Sequence, residues 1–344
     1  MKKLLVVGII ILMVGMSVPS TGFNVEKSTA SFDGNTLYVG GDGPGNYSTI
    51  QDAIDNANNG DTVYVYNGTY YEIVVLDKSL NLFGEDKNNT VINSKHTGDV
   101  ISITVGSTTI SGFHILNGGN YGLYLAESDN NEIINNKITN SNGGIELYYS
   151  NHNEIHSNII CDNAEEGIYL YCSHQNSIFE NYIYRQGEGI ELIRSDGNHI
   201  SYNSIFNHNY NPYEDWAKGI FISGSNSNNV VYNKLYNNEI GISIEYSNEN
   251  NVSQNELSNV SWSIILEDSL SNAINNNNLF ESKIWFLIHF FSEGSICWTN
   301  NWNNNYWEKA RILPKPIFGY ISYFKVPWIN FDWHPAKEPF DIGV

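Results

Sequence analysis

Two glutamates, Glu146 and Glu191, occupy the same place in two copies of a repeated sequence and are the first candidates for chemistry. If successive copies stack as neighbouring strands, these residues lie two strands apart, roughly 9 to 10 Å at the backbone. Inverting glycosidases hold an acid and a base carboxylate about 6.5 to 9.5 Å apart. The pair is therefore a candidate for glycoside chemistry, although any repeat produces such spacings freely.

A second catalytic candidate is the cluster of Arg194 and Asp196, with His199 nearby. The cluster lies at the corner of the repeat that carries the recurring serine, which suggests that much of it stabilises the turn. Two motifs of related chemistry are absent from the sequence: the Gly-His-Gly and Arg-Ile-Lys pattern of polygalacturonases, and the Asp-Pro-His-Asp run of mannuronan epimerases. The sequence therefore leaves the catalytic residues unassigned.

Aromatic side chains near these carboxylates are candidates for carbohydrate binding, because their rings present flat faces to the C–H groups of sugars. The predicted contacts are Tyr148, Tyr169, Tyr171, Tyr213 and Trp216. The last two lie in an eight-residue insertion, where solenoids tend to carry binding loops. The alternative explanation is that aromatic residues are ordinary on strands and stabilise one another. The insertion is equally well explained as a tolerated surface loop.

His152 and His174 are the candidates for metal binding, since they lie near the same corner in adjacent copies. Copper prefers histidine, cysteine and methionine ligands. All three methionines lie within the first 16 residues, so a thioether ligand is not expected in the mature protein. No metal residue is assigned, and the cofactor is left open between copper and calcium.

The repeat that positions these residues recurs every 22 or 23 residues, with one interval of 30 residues. Its anchoring asparagines are Asn131, Asn153, Asn176, Asn198, Asn228, Asn250 and Asn272. A fixed period in this range indicates a stack of identical units. Short runs of β-branched residues between Asn and Gly corners predict strands rather than helices. The sequence therefore predicts an all-β, single-stranded right-handed parallel β-helix. A leucine-rich repeat fits less well, because the aliphatic residues are mostly isoleucine and the return segment is another strand.

The two ends of the chain depart from the repeat. Residues 1–22 carry a basic start and a short apolar run typical of a signal peptide, and residues 23–35 look like a linker. The β-helix is predicted over residues 36–297, opened by a capping helix whose N-cap is Thr49. Residues 298–344, rich in tryptophan and proline, are predicted to form an aromatic C-terminal cap, with a docking or anchoring segment as the alternative.

The net charge, hydropathy and cysteine content of the chain limit the classes of partner and the location that can be expected. The formal charge of -20 disfavours nucleic acid and anionic membranes. After signal removal no segment is apolar enough to span a bilayer, so a secreted or cell-surface location is expected. Three cysteines, Cys161, Cys172 and Cys297, are too few and too scattered for a disulfide framework.

The segment from Leu37 to Ile92 carries a family resemblance. It contains Val39–Gly43, Ile50–Ile54, Gly60–Val63, Gly68–Tyr70 and Leu82–Gly84. This arrangement resembles the opening of pectin-lyase-like β-helix proteins, and together with the Asn-rich copies it looks most like the periplasmic copper-binding NosD family. The resemblance implies the fold and leaves activity open. We interpret the chain as a non-catalytic binder of carbohydrate or cell-surface polymer. The alternatives are a polysaccharide lyase, hydrolase or epimerase, and a copper-binding maturation factor.

Overall fold

Each copy of the repeat forms one coil of three short strands. The computed structural model describes residues 34–208, 217–280, 284–288, 299–321 and 326–343. The predicted signal peptide, most of the predicted linker, and Tyr213, Trp216 and Cys297 lie outside the described residues. Within the described ranges, no helix has the length and apolar character needed to cross a membrane.

Three sheets run along the stack, and each coil between Thr62 and Ile321 contributes one strand to each sheet. Thr36–Val39 adds a further strand to sheet A at the N-terminal end, and Val326–Asp332 adds one to sheet C at the C-terminal end. Sheet A begins the coil and consists of Thr36–Val39, Thr62–Val65, Asn81–Gly84, Thr109–Ser111, Glu132–Ile134, Glu154–His156, Ser177–Phe179, His199–Ser201, Asn229–Val231, Asn251–Ser253, Ala273–Asn275 and Asn301–Asn303. Sheet B follows it and consists of Gly68–Tyr70, Thr90–Asn93, His114–Leu116, Lys137–Thr139, Ile159–Cys161, Tyr182–Tyr184, Ser204–Phe206, Lys234–Tyr236, Glu256–Ser258, Asn278–Leu279 and Tyr306–Trp307. Sheet C closes the coil and consists of Val74–Leu76, Ile101–Ile103, Tyr121–Ala126, Gly143–Tyr148, Glu166–Tyr171, Glu188–Ile193, Lys218–Ser223, Ile240–Glu245, Trp262–Glu267, Ile284–Ile288, Lys315–Ile321 and Val326–Asp332.

Isoleucine columns form the interior of the stack. Ile133, Ile155 and Ile178 are successive register partners in sheet A, and all three are fully buried. Equivalent aliphatic columns run through sheets B and C. The alternation of inward aliphatic and outward polar residues along each short strand produces this arrangement. The predicted right-handed parallel β-helix is confirmed.

Buried amides hold the corners between the sheets. Oδ1 of Asn153 accepts hydrogen bonds from both the backbone N and the side-chain Nδ2 of Asn131, at 2.8 and 3.0 Å. A second ladder passes through Asn136 and Asn158, whose N···Oδ1 distance is 2.9 Å. A serine ladder marks the corner after sheet C, where the N–H of Ser150 donates to Oγ of Ser173. These bonds satisfy backbone groups that the turns would otherwise bury unpaired.

A short helix covers the N-terminal end, as predicted. It spans Ile50–Asn56, and Oγ1 of Thr49 accepts from the backbone N of Asp52 at 3.2 Å. Ile50, Ala53 and Ile54 face the core and are fully buried. The helix therefore closes the open end of the apolar interior.

At the C-terminal end the coils continue beyond residue 297, where the repeat-based boundary was placed. Trp302 and Trp307 extend the Ile274 and Leu279 columns, so the aromatic residues act as bulky substitutes for aliphatic core residues. The strand Val326–Asp332 then returns antiparallel to Lys315–Ile321. Asp332 is fully buried and ends the amide ladder by accepting from the backbone N of Asn305 at 3.0 Å.

Candidate binding face on sheet C

Glu146, Tyr169 and Glu191 are consecutive register partners on the outward side of sheet C. Tyr124 precedes them in the same column and Phe221 follows. The prediction that both glutamates share one column, two coils apart, is confirmed. Their catalytic role stays a prediction. In the coils from Tyr121 to Glu267, the sheet C strand has six residues, whereas the sheet A and sheet B strands have three. The outward face of sheet C is therefore wider than those of the other two sheets.

A cleft of about 360 Å³ lies at one end of this column. Its lining residues are Asp99, Asn120, Tyr121, Tyr124, Asn142, Glu146 and Glu165. The ring of Tyr121 stacks near Tyr124, with centroids 6.5 Å apart, and its backbone N donates to Oδ1 of Asp99. Gly143 lies opposite Tyr121 and leaves room for the ring, because a Cβ there would come within 2.2 Å of it. The doubled glycine at 143–144 was the sequence signal for this ring position.

Glu146 is the carboxyl in this cleft whose pKa is shifted into the neutral range. Partial burial raises the pKa of its carboxyl to about 7, and the negative charges of Asp99 and Glu166 add to the effect. Burial and then Glu146 also raise the pKa of Tyr121 and of Tyr124. At neutral pH a protonated Glu146 can donate a hydrogen bond, whereas an ionised one can only accept. The carboxyl is thus able to serve in either form near pH 7.

A second cleft, of about 340 Å³, lies further along the same sheet. Its lining residues are Lys218, Ile240, Ser243, Glu245, Trp262, Ile265 and Glu267. Nζ of Lys218 lies 2.8 Å from Oε1 of Glu188 and 3.8 Å from the ring centroid of Phe221. Burial acts to lower the pKa of Lys218, but Glu188, with smaller contributions from Glu245 and Glu191, outweighs it and the pKa is raised. This pair was missed in the sequence, although aligning the Gly-Ile motifs places both residues in one column.

The predicted sugar-binding tyrosines come together beside Glu146. Tyr148 and Tyr171 stack in parallel with centroids 5.6 Å apart, and Tyr169 lies 6.5 Å from Tyr171. Tyr149, which is 46% exposed, packs edge-on against Tyr148. Much of the ring surface is therefore used within the cluster, which leaves ring edges and hydroxyls for a ligand. The other two predicted contacts, Tyr213 and Trp216, lie outside the described residues.

The corner candidates have structural partners. Nδ1 of His174 accepts from the backbone N of Asp196 at 3.0 Å, and Oδ1 of Asp196 accepts from the backbone N of Asn226 at 2.6 Å. Both side chains thus continue a ladder of corner acceptors. Arg194 adopts a left-handed backbone conformation with φ of 51° at the same corner. The backbone N of His152 donates to the carbonyl of His174, which confirms that the two histidines lie in adjacent coils. A metal-binding role for the pair remains a prediction.

A different cluster on sheet A brings together Glu132, Glu154 and His156, with one potential ligand atom from each within 4.8 Å of the others. Glu132 and Glu154 are register partners, and Nε2 of His156 lies 3.3 Å from Oε1 of Glu132. Sequence reasoning missed this cluster. The available signal was that Glu132 and Glu154 each directly follow an anchoring asparagine.

A model of the periplasmic copper-binding protein NosD matches residues 54–238, more than half of the chain. The chain belongs to the NosD family. A model of the right-handed β-helix region matches residues 173–307 of this NosD-family chain. No curated protein matches its sequence. The fold predicted from the repeat is confirmed, and so is the family suggested by the resemblance of Leu37–Ile92 and the Asn-rich copies.

Solved structures similar to this NosD-family chain share its fold. One, named Geobacillus virus E2 ORF18, is 15% identical with a TM-score of 0.59, and the match covers 79% of this chain but only 57% of that one. Pectate lyase Pel9A is 14% identical, with a TM-score of 0.54 and 79% of each chain covered. The mannuronan C-5 epimerase AlgE4 A-module from Azotobacter vinelandii is 13% identical, with a TM-score of 0.53, covering 75% of this chain and 86% of that one.

Because NosD is a copper-binding family, the ligand atoms that this chain offers can be compared with those that copper prefers. Cu(I) favours thiolate and thioether ligands, whereas imidazole and carboxylate suit divalent ions such as Cu(II) and Zn(II). Among the described residues, Cys161 is a buried free thiol and Cys172 a partly buried one. The Glu132, Glu154 and His156 set supplies nitrogen and oxygen donors. Glu132, Glu154 and His156 therefore fit a divalent ion and do not fit Cu(I).

Proposed function

We propose that this NosD-family chain binds a carbohydrate polymer along the outward face of sheet C. The observation that carries the proposal is that two clefts share this face, with Tyr169 and Glu191 in the column between them. Tyr124 in the first cleft and Ser243 in the second belong to one column, five coils apart, or about 24 Å. A linear polymer running along the stack axis would span both clefts. A small compact ligand would use only one.

The charge of the clefts favours a neutral or cationic sugar polymer. Five carboxylates line the two clefts: Asp99, Glu146, Glu165, Glu245 and Glu267. Among the described residues that line them, Lys218 is the one cation, and it is already paired with Glu188. Pectate and mannuronan are polyanions, and like charges disfavour association. We therefore do not expect this chain to bind polyanions such as pectate or mannuronan unless a cation bridges the polymer and the carboxylates.

Glycan-array screening followed by calorimetry on the best oligosaccharide tests the proposal. We expect stronger binding of neutral or amino-sugar oligomers than of uronate oligomers measured without calcium. Tyr169→Ala and Glu191→Gln should each weaken binding about three- to tenfold, because one aromatic or hydrogen-bonding contact is worth about 0.5 to 1.5 kcal/mol. Tyr182→Ala is the matched control, since Tyr182 is 54% exposed but lies on sheet B. Equal losses in Tyr182→Ala and Tyr169→Ala would contradict the proposed face.

A second candidate function is catalysis on the bound polymer, which the raised pKa of Glu146 favours. A carboxyl with a pKa of about 7 can donate or accept a proton at neutral pH, as a general acid–base catalyst requires. Release of reducing ends, or new absorbance from an unsaturated uronate, would support this function if Glu146→Gln abolished it and left binding intact. Stoichiometric binding without any product supports the non-catalytic proposal instead.

A further inference from the structure

In the cluster on sheet A, Nε2 of His156 faces a carboxylate oxygen of Glu132. Oγ of Ser157 lies 3.4 Å from both Oε2 of Glu180 and Nδ1 of His156. When this hydroxyl donates to the Glu180 carboxylate, which accepts only, Ser157 accepts from Nδ1–H of His156. In neutral imidazole this arrangement leaves a lone pair on Nε2, directed at Oε1 of Glu132 at 3.3 Å. Such a contact requires either a proton or a cation between the two atoms.

The geometry points to a divalent transition-metal ion held by Glu132, Glu154 and His156. Tetrahedral coordination with ligand distances of about 2.0 to 2.1 Å places ligand atoms roughly 3.3 Å apart, which is the observed separation of Nε2 and Oε1. Glu154 is exposed and lies opposite Glu132, so a rotation of its side chain completes a three-ligand set. One imidazole and two carboxylates suit Zn²⁺ or Cu²⁺ better than Ca²⁺, which prefers six to eight oxygen ligands.

Neighbouring residues hold the imidazole in place before an ion arrives. The ring of His156 stacks on Phe179, with centroids 4.4 Å apart and an interplanar angle of 7°. Oγ1 of Thr109 donates to the other oxygen of Glu132, at 3.4 Å. Hydrogen bonds of this kind orient metal ligands and typically change metal affinity 10- to 100-fold. The site is separate from the sheet C clefts, because none of its residues lines either of them.

Calorimetry with Zn²⁺ on the untagged full chain tests the site, with Cu²⁺ electron paramagnetic resonance as a second readout. We expect one Zn²⁺ per chain, and a Cu²⁺ spectrum showing one coordinated nitrogen. His156→Gln and Glu132→Gln should each reduce Zn²⁺ affinity at least 100-fold, and Phe179→Leu about tenfold. His199→Gln on the same sheet is the matched control and should leave the affinity unchanged, since Nδ1 of His199 is paired with Nδ2 of Asn229.

Three outcomes would overturn the assignment. The first is no Zn²⁺ binding by a wild-type chain whose circular dichroism shows an intact β-helix, which would mean that a proton alone bridges His156 and Glu132. The second is binding that survives in His156→Gln and Glu132→Gln but is lost in a variant carrying both His152→Ala and His174→Ala. The third is tighter binding of Ca²⁺ than of Zn²⁺, which would contradict the proposed class of ion. None of these results depends on carbohydrate binding.

Discussion

The ring of Tyr121 lies over Gly143, so closely that a Cβ on Gly143 would be 2.2 Å from Cε1 of the ring. Gly143→Ala must therefore displace Tyr121 from the first cleft. Because the obstructing atoms belong to a side chain, the ring can swing aside while the backbone keeps its register. We expect oligosaccharide affinity to fall about three- to tenfold, the value of one aromatic contact, as measured by calorimetry. Gly68→Ala is the control, because its Cβ would meet Tyr70 at an ordinary 3.4 Å.

The raised pKa of Glu146 predicts a pH-dependent stability. The pKa is about 7 in the folded protein and near 4.5 when unfolded, so the folded state holds the proton more tightly. This contribution is fully present below pH 4.5 and is lost as the pH rises through 7. Since the side chain is partly exposed, we discount the loss for solvent screening to about 1 to 2 kcal/mol.

Urea unfolding at pH 5 and pH 8 measures this effect. Glu146→Gln cannot ionise, so its free energy of unfolding should fall less between the two pH values than that of the wild type. Glu256→Gln on sheet B is the control and should follow the wild-type pH profile. Parallel profiles for the wild type and Glu146→Gln would show that Glu146 does not titrate in this window.

The sequence predicted the coil stack because every structural role is repeated at a fixed interval. Asn131, Asn153 and Asn176 recur in sequence for the same reason that they stack in space: each accepts the backbone N–H of the coil before it. The Ile133 column follows from the same alignment. The position of Glu146 and Glu191 in one column was predictable too, since register in a solenoid follows directly from the repeat.

The candidate sites were harder to predict because they depend on differences between coils. Gly143, Lys218 and His156 each depart from the residues that neighbouring coils carry at the same position. Lys218 and Glu188 share one column, so only the identity of the two side chains marks them. His156 is different, because it lies opposite Ile134 in register but contacts Glu132 diagonally. Column alignment gives the partner directly opposite and does not give the direction in which a long side chain turns. Beyond residue 297 the aliphatic pattern is lost, because Trp302 fills a core position that isoleucine fills elsewhere.

Asn158→Ala tests how far the amide ladder stabilises the stack. Asn158 accepts from the backbone N of Asn136 at 2.9 Å and donates to the carbonyl of Ile133 at 2.7 Å, and all of these groups are buried. Alanine leaves the buried backbone N of Asn136 without its acceptor and removes one hydrogen bond to the carbonyl of Ile133. An unsatisfied buried group costs about 1 to 3 kcal/mol, and a lost hydrogen bond about 0.5 to 1.5 kcal/mol. Urea unfolding should show a loss of about 3 kcal/mol. Asn89→Ala, at an exposed position, should change stability by less than about 0.5 kcal/mol; a similarly small effect of Asn158→Ala would show that the ladder is dispensable.

Variants of the Lys218–Glu188 ion pair allow its effect on stability to be measured separately from its effect on ligand binding. The side chains are only 15% and 5% exposed, so Glu188→Gln leaves a largely buried ammonium without its carboxylate. Breaking a buried pair in this way costs about 3 to 5 kcal/mol, whereas replacing both partners with apolar residues is often close to neutral. We therefore expect strong destabilisation in Glu188→Gln and recovery in the double variant Glu188→Leu with Lys218→Met, measured by thermal unfolding.

The same double variant then tests the second cleft, because it keeps the packing beside Phe221 and removes the one cation found among the described lining residues. If the polymer is cationic, its affinity should be unchanged or higher, since Lys218 would only repel it. If the polymer is neutral, affinity should change little. A tenfold or larger loss of binding in a double variant of normal stability would mean that Lys218 attracts an anionic ligand, and would contradict the charge argument for this face.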